Sequence, residues 1–555
     1  MHADAPAILP GNRERSLLLQ RISCALAGGA ALAFLLSLAY FAWVQYSPIP
    51  FLDSWSGYIG FYLDSASFQA WWRQHNEHRI LLSKLFFWLD LRYFAGRSVI
   101  LVVLNFLLLG LAWATLVAYA RRLFAGYSAQ GRWLLYCVLA LMCFSWLQHD
   151  NAASPFQNQF IAAFALPLLA LYWLAGAEQG RGAFWVALAL GILATFSMIS
   201  GLFCLPVMAV FSLLRWGPGR RFAICLLAAV LVWGLYFSDY VKGPTTDLGL
   251  RILVEHTLPF VNYMACYIGG PLAVALGGKV SLAMAFGYLG LVLFLALLII
   301  HLRRPDDPYS LALLGFVGYA VISAGLTSLG RSIMGEETAL ASRYATPGLF
   351  MWAALLLLSL RSAPTSVRLW RGTPALVFIA VFLLLAQAQT RTLHIDYWAF
   401  PDKTRQAVLL AYQLGEKEKA MAQLGAGEAR EQFQRASAAR ISVFDNPRSD
   451  LSALAALLGR DIAQLPGRPC EVRDAHTEAW SSARGGILRV SGTLPEAQAR
   501  RFDYLALADG SGRVVGVGVI DNLPWLTLER RPPSLLQAFL VGAGEFASAR
   551  CLETF

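Results

Sequence analysis

Long apolar stretches alternate with short polar connections from residue 24 to residue 388, and there the pattern stops. Read as helices, the stretches are Cys24–Trp43, Val99–Ala120, Trp133–Leu147, Phe160–Ala175, Phe184–Ile199, Leu202–Leu214, Phe222–Phe237, Val280–Ile300, Leu311–Leu329, Pro347–Leu360 and Pro374–Ala388. Several fall short of the ~20 residues that cross the hydrocarbon layer, yet the spacing fits about eleven membrane spans. One stretch resists. Leu258–Leu276 is apolar but interrupted by Gly269, Gly270 and Pro271. It reads as a re-entrant or interfacial element, which a membrane tolerates only where protein or water covers the backbone.

Beyond the last span the character changes twice. Residues 396–466 carry helix formers and charges, the mark of an extramembrane helical segment. From residue 467 the runs ILRVSGTL and FDYLALADGSGRVVGVGVI have strand character, the second split by a hairpin signal at Asp509–Gly512. QAFLVGA and FASARCL add two more strands. The predicted fold is an α-helical polytopic membrane protein of about eleven spans, with a C-terminal extramembrane domain that is helical, then β-sandwich-like. Its parts are an N-terminal tail (1–22), a transmembrane domain (23–395) with a long first outer loop (47–97), the helical segment (396–466) and the β-rich domain (467–555).

Composition supports the membrane reading: 57% of residues are hydrophobic and 14% charged, where a soluble chain carries about a quarter. The net charge of +11 does not indicate a nucleic-acid partner, because the cations follow topology. Arg13, Arg15 and Arg21 precede the first span; Arg121, Arg122 and Arg132, Arg181, Arg215, Arg220 and Arg221, Arg303 and Arg304, and Arg361, Arg368 and Arg371 recur at alternate connections. The positive-inside rule then sets the N-terminus in the cytoplasm and the C-terminal domain outside, the periplasm if the membrane is a bacterial inner membrane. The first apolar run ends in Tyr46 rather than a small-residue cleavage site, so it is expected to stay as a signal anchor. Cys24, Cys137, Cys143, Cys204, Cys225 and Cys266 lie in apolar segments without metal-ligand spacing and read as buried hydrophobes. Cys470 and Cys551 lie in the polar C-terminal part, where an oxidising compartment makes a disulfide between them plausible.

The outer loops hold the candidate chemistry. The first crowds Asp53, Asp64, Arg73, His75, Glu77, His78 and Arg79 around an aromatic-rich stretch that suits two interfacial helices. Ionisable groups held against a bilayer point to function. A partly buried carboxylate beside His and Arg suits acid–base work on a lipid-linked substrate. Asp53 is the candidate general base, although Asp53-Ser54 also reads as a helix N-cap; Glu77 and His78 are candidates beside it, or partners in surface ion pairs with Arg73 or Arg79. His75, Glu77 and His78 lack a further metal ligand, so no metal site is assigned. Gln148–Gln159 is an amide-rich loop with an aromatic, and His149, Asp150, Gln157 and Asn158 suit sugar hydroxyls or simple turn chemistry. Arg331 and Arg343 lie outside against the charge trend, where guanidinium groups suit phosphate or pair with Glu336 and Glu337. Lys242, Arg251 and His256 are weaker candidates.

With PFLDSW, HNEHR and ASRYATP in view, the chain resembles the GT-C superfamily of polytopic glycosyltransferases: an acidic residue soon after the first span, a long first outer loop, many spans and a C-terminal extramembrane domain. The resemblance implies an inverting transfer of sugar from a polyprenyl-phosphate donor to a protein or glycolipid acceptor at the outer face. A pilin arabinosyltransferase, a lipid A-modifying enzyme or an O-antigen-modifying enzyme are members of the implied kind. In that role Asp53 takes the acceptor proton, and Arg79, Arg331, Arg343 and Tyr344 meet the donor phosphate. Asp53-Ser54-Trp55 is not the Asp-x-Asp or Glu-x-Asp of some members, so a divalent metal is not favoured and no cofactor is expected. Rival readings are a polymerase or ligase using undecaprenyl-diphosphate-linked glycans, a flippase or transporter, and a non-catalytic scaffold.

Overall fold

The computed structural model describes residues 12–178, 180–241, 251–303, 307–364, 366, 372–394, 401–445, 451–480, 487–499, 501–520, 535–542 and 545–553. Lys242, Arg304, Arg368 and Arg371 lie outside them. The chain forms two compact units. One comprises residues 1–41, 74–83 and 103–395; the other comprises 42–73, 84–102 and 396–555. The first outer loop is thus shared out: Asp53, Asp64 and Arg73 belong to the second unit, and His75, Glu77, His78 and Arg79 to the first.

The first unit is helical. Among the described residues of the chain, nine helices are long and apolar enough to cross a membrane, and Gly182–Thr195 and Thr373–Gln389 are shorter apolar helices. The count of eleven is therefore not reached on length and composition. The Gly-Gly-Pro stretch corrects the sequence reading. Thr257–Ala275 is one continuous α-helix that runs through Gly269, Gly270 and Pro271. It packs against the helix Val280–Leu302 so closely that a Cβ on Gly269 would stand 2.0 Å from the Ala283 carbonyl oxygen. One on Gly287 would stand 1.9 Å from that of Ala265. The glycines serve backbone-to-backbone approach, as small residues do between membrane helices. Gly348 makes room in the same way for the Pro271 ring.

The second unit holds one seven-stranded antiparallel sheet, built from β1 (Arg468–Pro469), β2 (Arg473–Ala479), β3 (Ile487–Thr493), β4 (Tyr504–Ala508), β5 (Val514–Ile520), β6 (Leu535–Val541) and β7 (Ser548–Leu552) in the order β1-β7-β4-β5-β6-β3-β2. Among the described residues the sandwich-like expectation of two facing sheets gives way to one sheet, because β6 pairs with both β3 and β5 and so joins what alternation alone leaves separate. The β4–β5 turn is fixed by Asp509, whose carboxylate accepts from the Ser511 and Arg513 amides at 2.9 and 3.1 Å. Alternation along the strands then builds two cores. Tyr504, Ala506, Val517, Val519 and Phe539 pack with Ala407, Leu410 and Ala411 of the helix Pro401–Gln413, while Leu505, Leu507, Ala538 and Leu540 form the other. Cys470 and Cys551 form a disulfide, with Cα atoms 5.7 Å apart.

Candidate functional site

Three loops of the first unit meet. The first is the HNEHR turn. His75 and His78 exchange backbone hydrogen bonds of 2.8 and 2.9 Å, and Asn76 takes the left-handed conformation at φ 49° that Asn tolerates better than most residues. The end of helix Arg220–Tyr236 clamps this turn. The Tyr236 hydroxyl accepts from the Arg79 amide at 3.0 Å and donates to the Glu77 carbonyl at 3.3 Å. Tyr240 donates to that same carbonyl, and Gln74 pairs with both backbone groups of Val241.

Arg79 belongs to that clamp. It is 1% exposed, its Nε donates to the Tyr236 carbonyl at 2.7 Å, and it pairs with Asp239. A guanidinium held this way ties the turn to the end of the helix Arg220–Tyr236. His78 is half-buried, and its Nδ1 accepts from the Ile199 amide at 3.4 Å. Burial pushes its imidazole down to about 4, and His75 and Arg331 act in the same direction against Glu77. His78 is therefore neutral at neutral pH, with its proton on Nε2.

The second loop is 146–159 and the third is 331–346, far apart in sequence and knitted together here. Gln148 accepts from Thr346 at 2.8 Å; Asn151 donates to Thr346 at 2.7 Å and to the Arg343 carbonyl at 2.8 Å. Ser342 donates to the Leu147 carbonyl at 2.9 Å and accepts from the Asp150 amide at 3.1 Å. His149 Nδ1 lies 2.9 Å from the Trp146 carbonyl and 3.1 Å from Ser342 Oγ, and its Nε2 lies 3.4 Å from Asp150. This is not a nucleophilic serine: a carbonyl only accepts, so Nδ1 carries the proton and cannot take one from Ser342. The HNEHR turn joins the pair through the His75 ring, 5.2 Å from Phe156.

Arg343 sits over the Tyr344 ring at 5.2 Å, and its Nε has no hydrogen-bond partner among the described residues. Arg331 is exposed, within electrostatic reach of His78. Among the described residues neither arginine pairs with Glu336 or Glu337. The buried side-chain carbonyl oxygens of Asn151, Gln157 and Gln159 have no hydrogen-bond donor among the described residues. Asn158, by contrast, is engaged at both ends, accepting from Ser83 and donating to the Pro155 carbonyl. Sequence reading singles out Gln157 and not Asn151 or Gln159, although the same amide-rich loop carries all three. Among the described residues no group of three or more His, Cys, Asp or Glu side chains is arranged to hold a metal ion.

In the second unit Asp53 is exposed, and no described side chain or backbone group partners its carboxylate. Ser54, the residue before the π-helical turn Trp55–Gly60, makes no side-chain cap either, so this carboxylate is not an N-cap. Asp64 pairs with Arg435 at 2.8 Å and Arg73 at 3.7 Å. Two charged groups of this unit passed unnoticed in sequence. Lys84, 3% exposed, donates to the carbonyls of Ala70, Trp71 and Arg73 and so closes the helix Phe68–Trp72. Asp90, fully buried, accepts from the Tyr58 hydroxyl and, at 2.9 Å, the Ser98 amide. Burial raises its carboxyl, and these two donors oppose the rise.

No protein-family model matches the chain, and no curated protein matches it. Among solved structures it is similar to the archaeal oligosaccharyltransferase AglB from Archaeoglobus fulgidus, in complex with an inhibitory peptide and a dolichol-phosphate, at 13% identity and a TM-score of 0.37. The likeness covers 71% of this chain and 59% of that one. It is too loose to bear on family or activity.

Proposed function

We propose that the protein is an inverting, polyprenyl-phosphate-sugar-dependent glycosyltransferase of the GT-C kind, working at the outer face of a bacterial inner membrane on a protein or glycolipid acceptor. The observation that carries the reading is the junction of loops 146–159 and 331–346. Among the described residues it presents Arg343 without an acidic partner, and amide oxygens of the same junction without donors. A guanidinium wants an anionic oxygen, and amide oxygens want hydroxyl donors. A phosphorylated sugar offers both. Arg343 and Arg331 would offset the charge that grows on the departing phosphate. Gln157, with Asn151 and Gln159, would accept from sugar hydroxyls. Asp53 keeps the base role that the resemblance gives it, because its exposed carboxylate serves no cap or ion pair among the described residues. Glu77 and His78 would orient the acceptor, His78 as a neutral Nε2–H donor.

The test is turnover of radiolabelled polyprenyl-phosphate pentoses and hexoses by the purified protein in lipid nanodiscs. Asp53→Asn is expected to lower kcat by about 10²–10⁴-fold, the range of a lost general base. Arg343→Gln is expected to lower kcat/KM by about 10²-fold, that of a lost charge-stabilising donor. Full activity in Asp53→Asn, together with use of a diphosphate-linked donor, would favour the polymerase or ligase reading. No turnover with any monophosphate donor would end the proposal.

A further inference from the structure

The bend carrying Asp53 is held from both sides by one backbone carbonyl of the C-terminal helical segment, within the same unit. The Leu52 amide donates to the Leu424 carbonyl oxygen at 3.3 Å, and the Trp55 indole Nε1 donates to the same oxygen at 3.1 Å. The residue before Asp53 and the second residue after it thus share a single acceptor. Trp55 is 0% exposed, its ring 4.6 Å from that of Phe433. Leu52 adopts φ 50°, a left-handed conformation that a leucine holds only when its surroundings impose it. Gly425 imposes it. At φ 67° this residue presses on Leu52 so tightly that a Cβ would stand 2.6 Å from Leu52 Cδ2 and 2.9 Å from its backbone N and Cα. Just beyond Asp53 the chain winds into the π-helical turn Trp55–Gly60, a rare local form often found at functional sites. Asp53 contributes nothing to this arrangement through its own carboxylate. Its own part is through the backbone, its carbonyl accepting from the Gly57 amide at 2.8 Å.

We infer that Leu424 and Gly425, with Trp55, are positioning residues that hold the Asp53 backbone for proton transfer. The C-terminal helical segment then has a part in catalysis. The inference rests on Asp53 acting as the base. A base must sit within hydrogen-bond reach of the proton it takes, and a displacement of about 1 Å can cost about 10²-fold in rate.

Two readings in full-length protein test it. Hydrogen–deuterium exchange over residues 51–57 reports the bend whether or not a donor is known, and kcat and KM with radiolabelled polyprenyl-phosphate sugars report the consequence. Gly425→Ala, which meets the Leu52 backbone, is expected to speed exchange there and lower kcat about 10²-fold with donor KM near wild type. Trp55→Phe keeps a ring against Phe433 and loses the hydrogen bond; a kcat fall of about 10-fold is expected, which covers the case in which Gly425→Ala fails to fold. Gly427→Ala has no atom within 4 Å of the added carbon and should behave as wild type. Unchanged exchange in Gly425→Ala and Trp55→Phe, or faster exchange at unchanged kcat, overturns the positioning role. If the wild type turns over no donor, the transferase reading falls, while the exchange comparison still decides whether this corner fixes residue 53.

Discussion

At the scale of single residues, burial and partners separate side chains that look alike in sequence. Arg79 and Arg343 are both outer-loop arginines, but Asp239 and the Tyr236 carbonyl engage the first while the Nε of the second has no partner among the described residues. A sequence cannot reveal that difference, because Asp239 lies 160 positions from Arg79. His78 gives a prediction in pH. Its imidazole titrates near the ordinary 6.5 in the unfolded chain and about 4 in the fold, so between those values the unfolded chain binds the proton more strongly. The stability contributed by neutral His78 is complete above 6.5 and is lost as pH falls toward 4. Thermal unfolding in detergent should therefore show a smaller drop in Tm from pH 7.5 to pH 5 for His78→Gln than for wild type. An equal drop in both would remove the low imidazole pKa from the account.

At the scale of elements, the helix Thr257–Ala275 shows what apolar patterning reveals and what it hides. The apolar run and its limits are plain in sequence, since the expected Leu258–Leu276 nearly coincides with the observed helix. Its continuity is not. Gly-Gly-Pro marks a break in water, yet between packed helices the same glycines admit a neighbouring backbone, and only the partner helix tells the two apart. Gly287→Ala should accordingly destabilise the protein by about 1–3 kcal/mol, the usual cost of overpacking, measured as a lowered Tm; Gly110→Ala, with nothing within 4 Å, should not. The three polar loops were legible one at a time from their residue types. Their junction was not, because it depends on hydrogen bonds such as Thr346 to Gln148, 198 positions apart.

At the scale of the whole molecule, the two units draw on different physics. The helical unit relies on close backbone approach and polar seams between helices, and the sheet unit on two alternating cores and a covalent tie. The Cys470–Cys551 disulfide encloses 81 positions, and in the chain-entropy view a loop of that length contributes about 4 kcal/mol. Cys551→Ser, or reductant added to the wild type, should lower the unfolding temperature of the sheet unit and leave that of the helical unit in place, as read by limited proteolysis along a temperature ramp. Strand order carries a further consequence, for synthesis. β7 is the last of the seven strands to leave the ribosome, yet it lies between β1 and β4. Until residues 548–552 are made, β4 presents a bare edge of unpaired amides and carbonyls, and Cys470 waits for its partner sulfur. The sheet is thus completed only once β7 has been translated, and a polypeptide ending short of Ser548 would display an open strand for a quality-control protease to grasp.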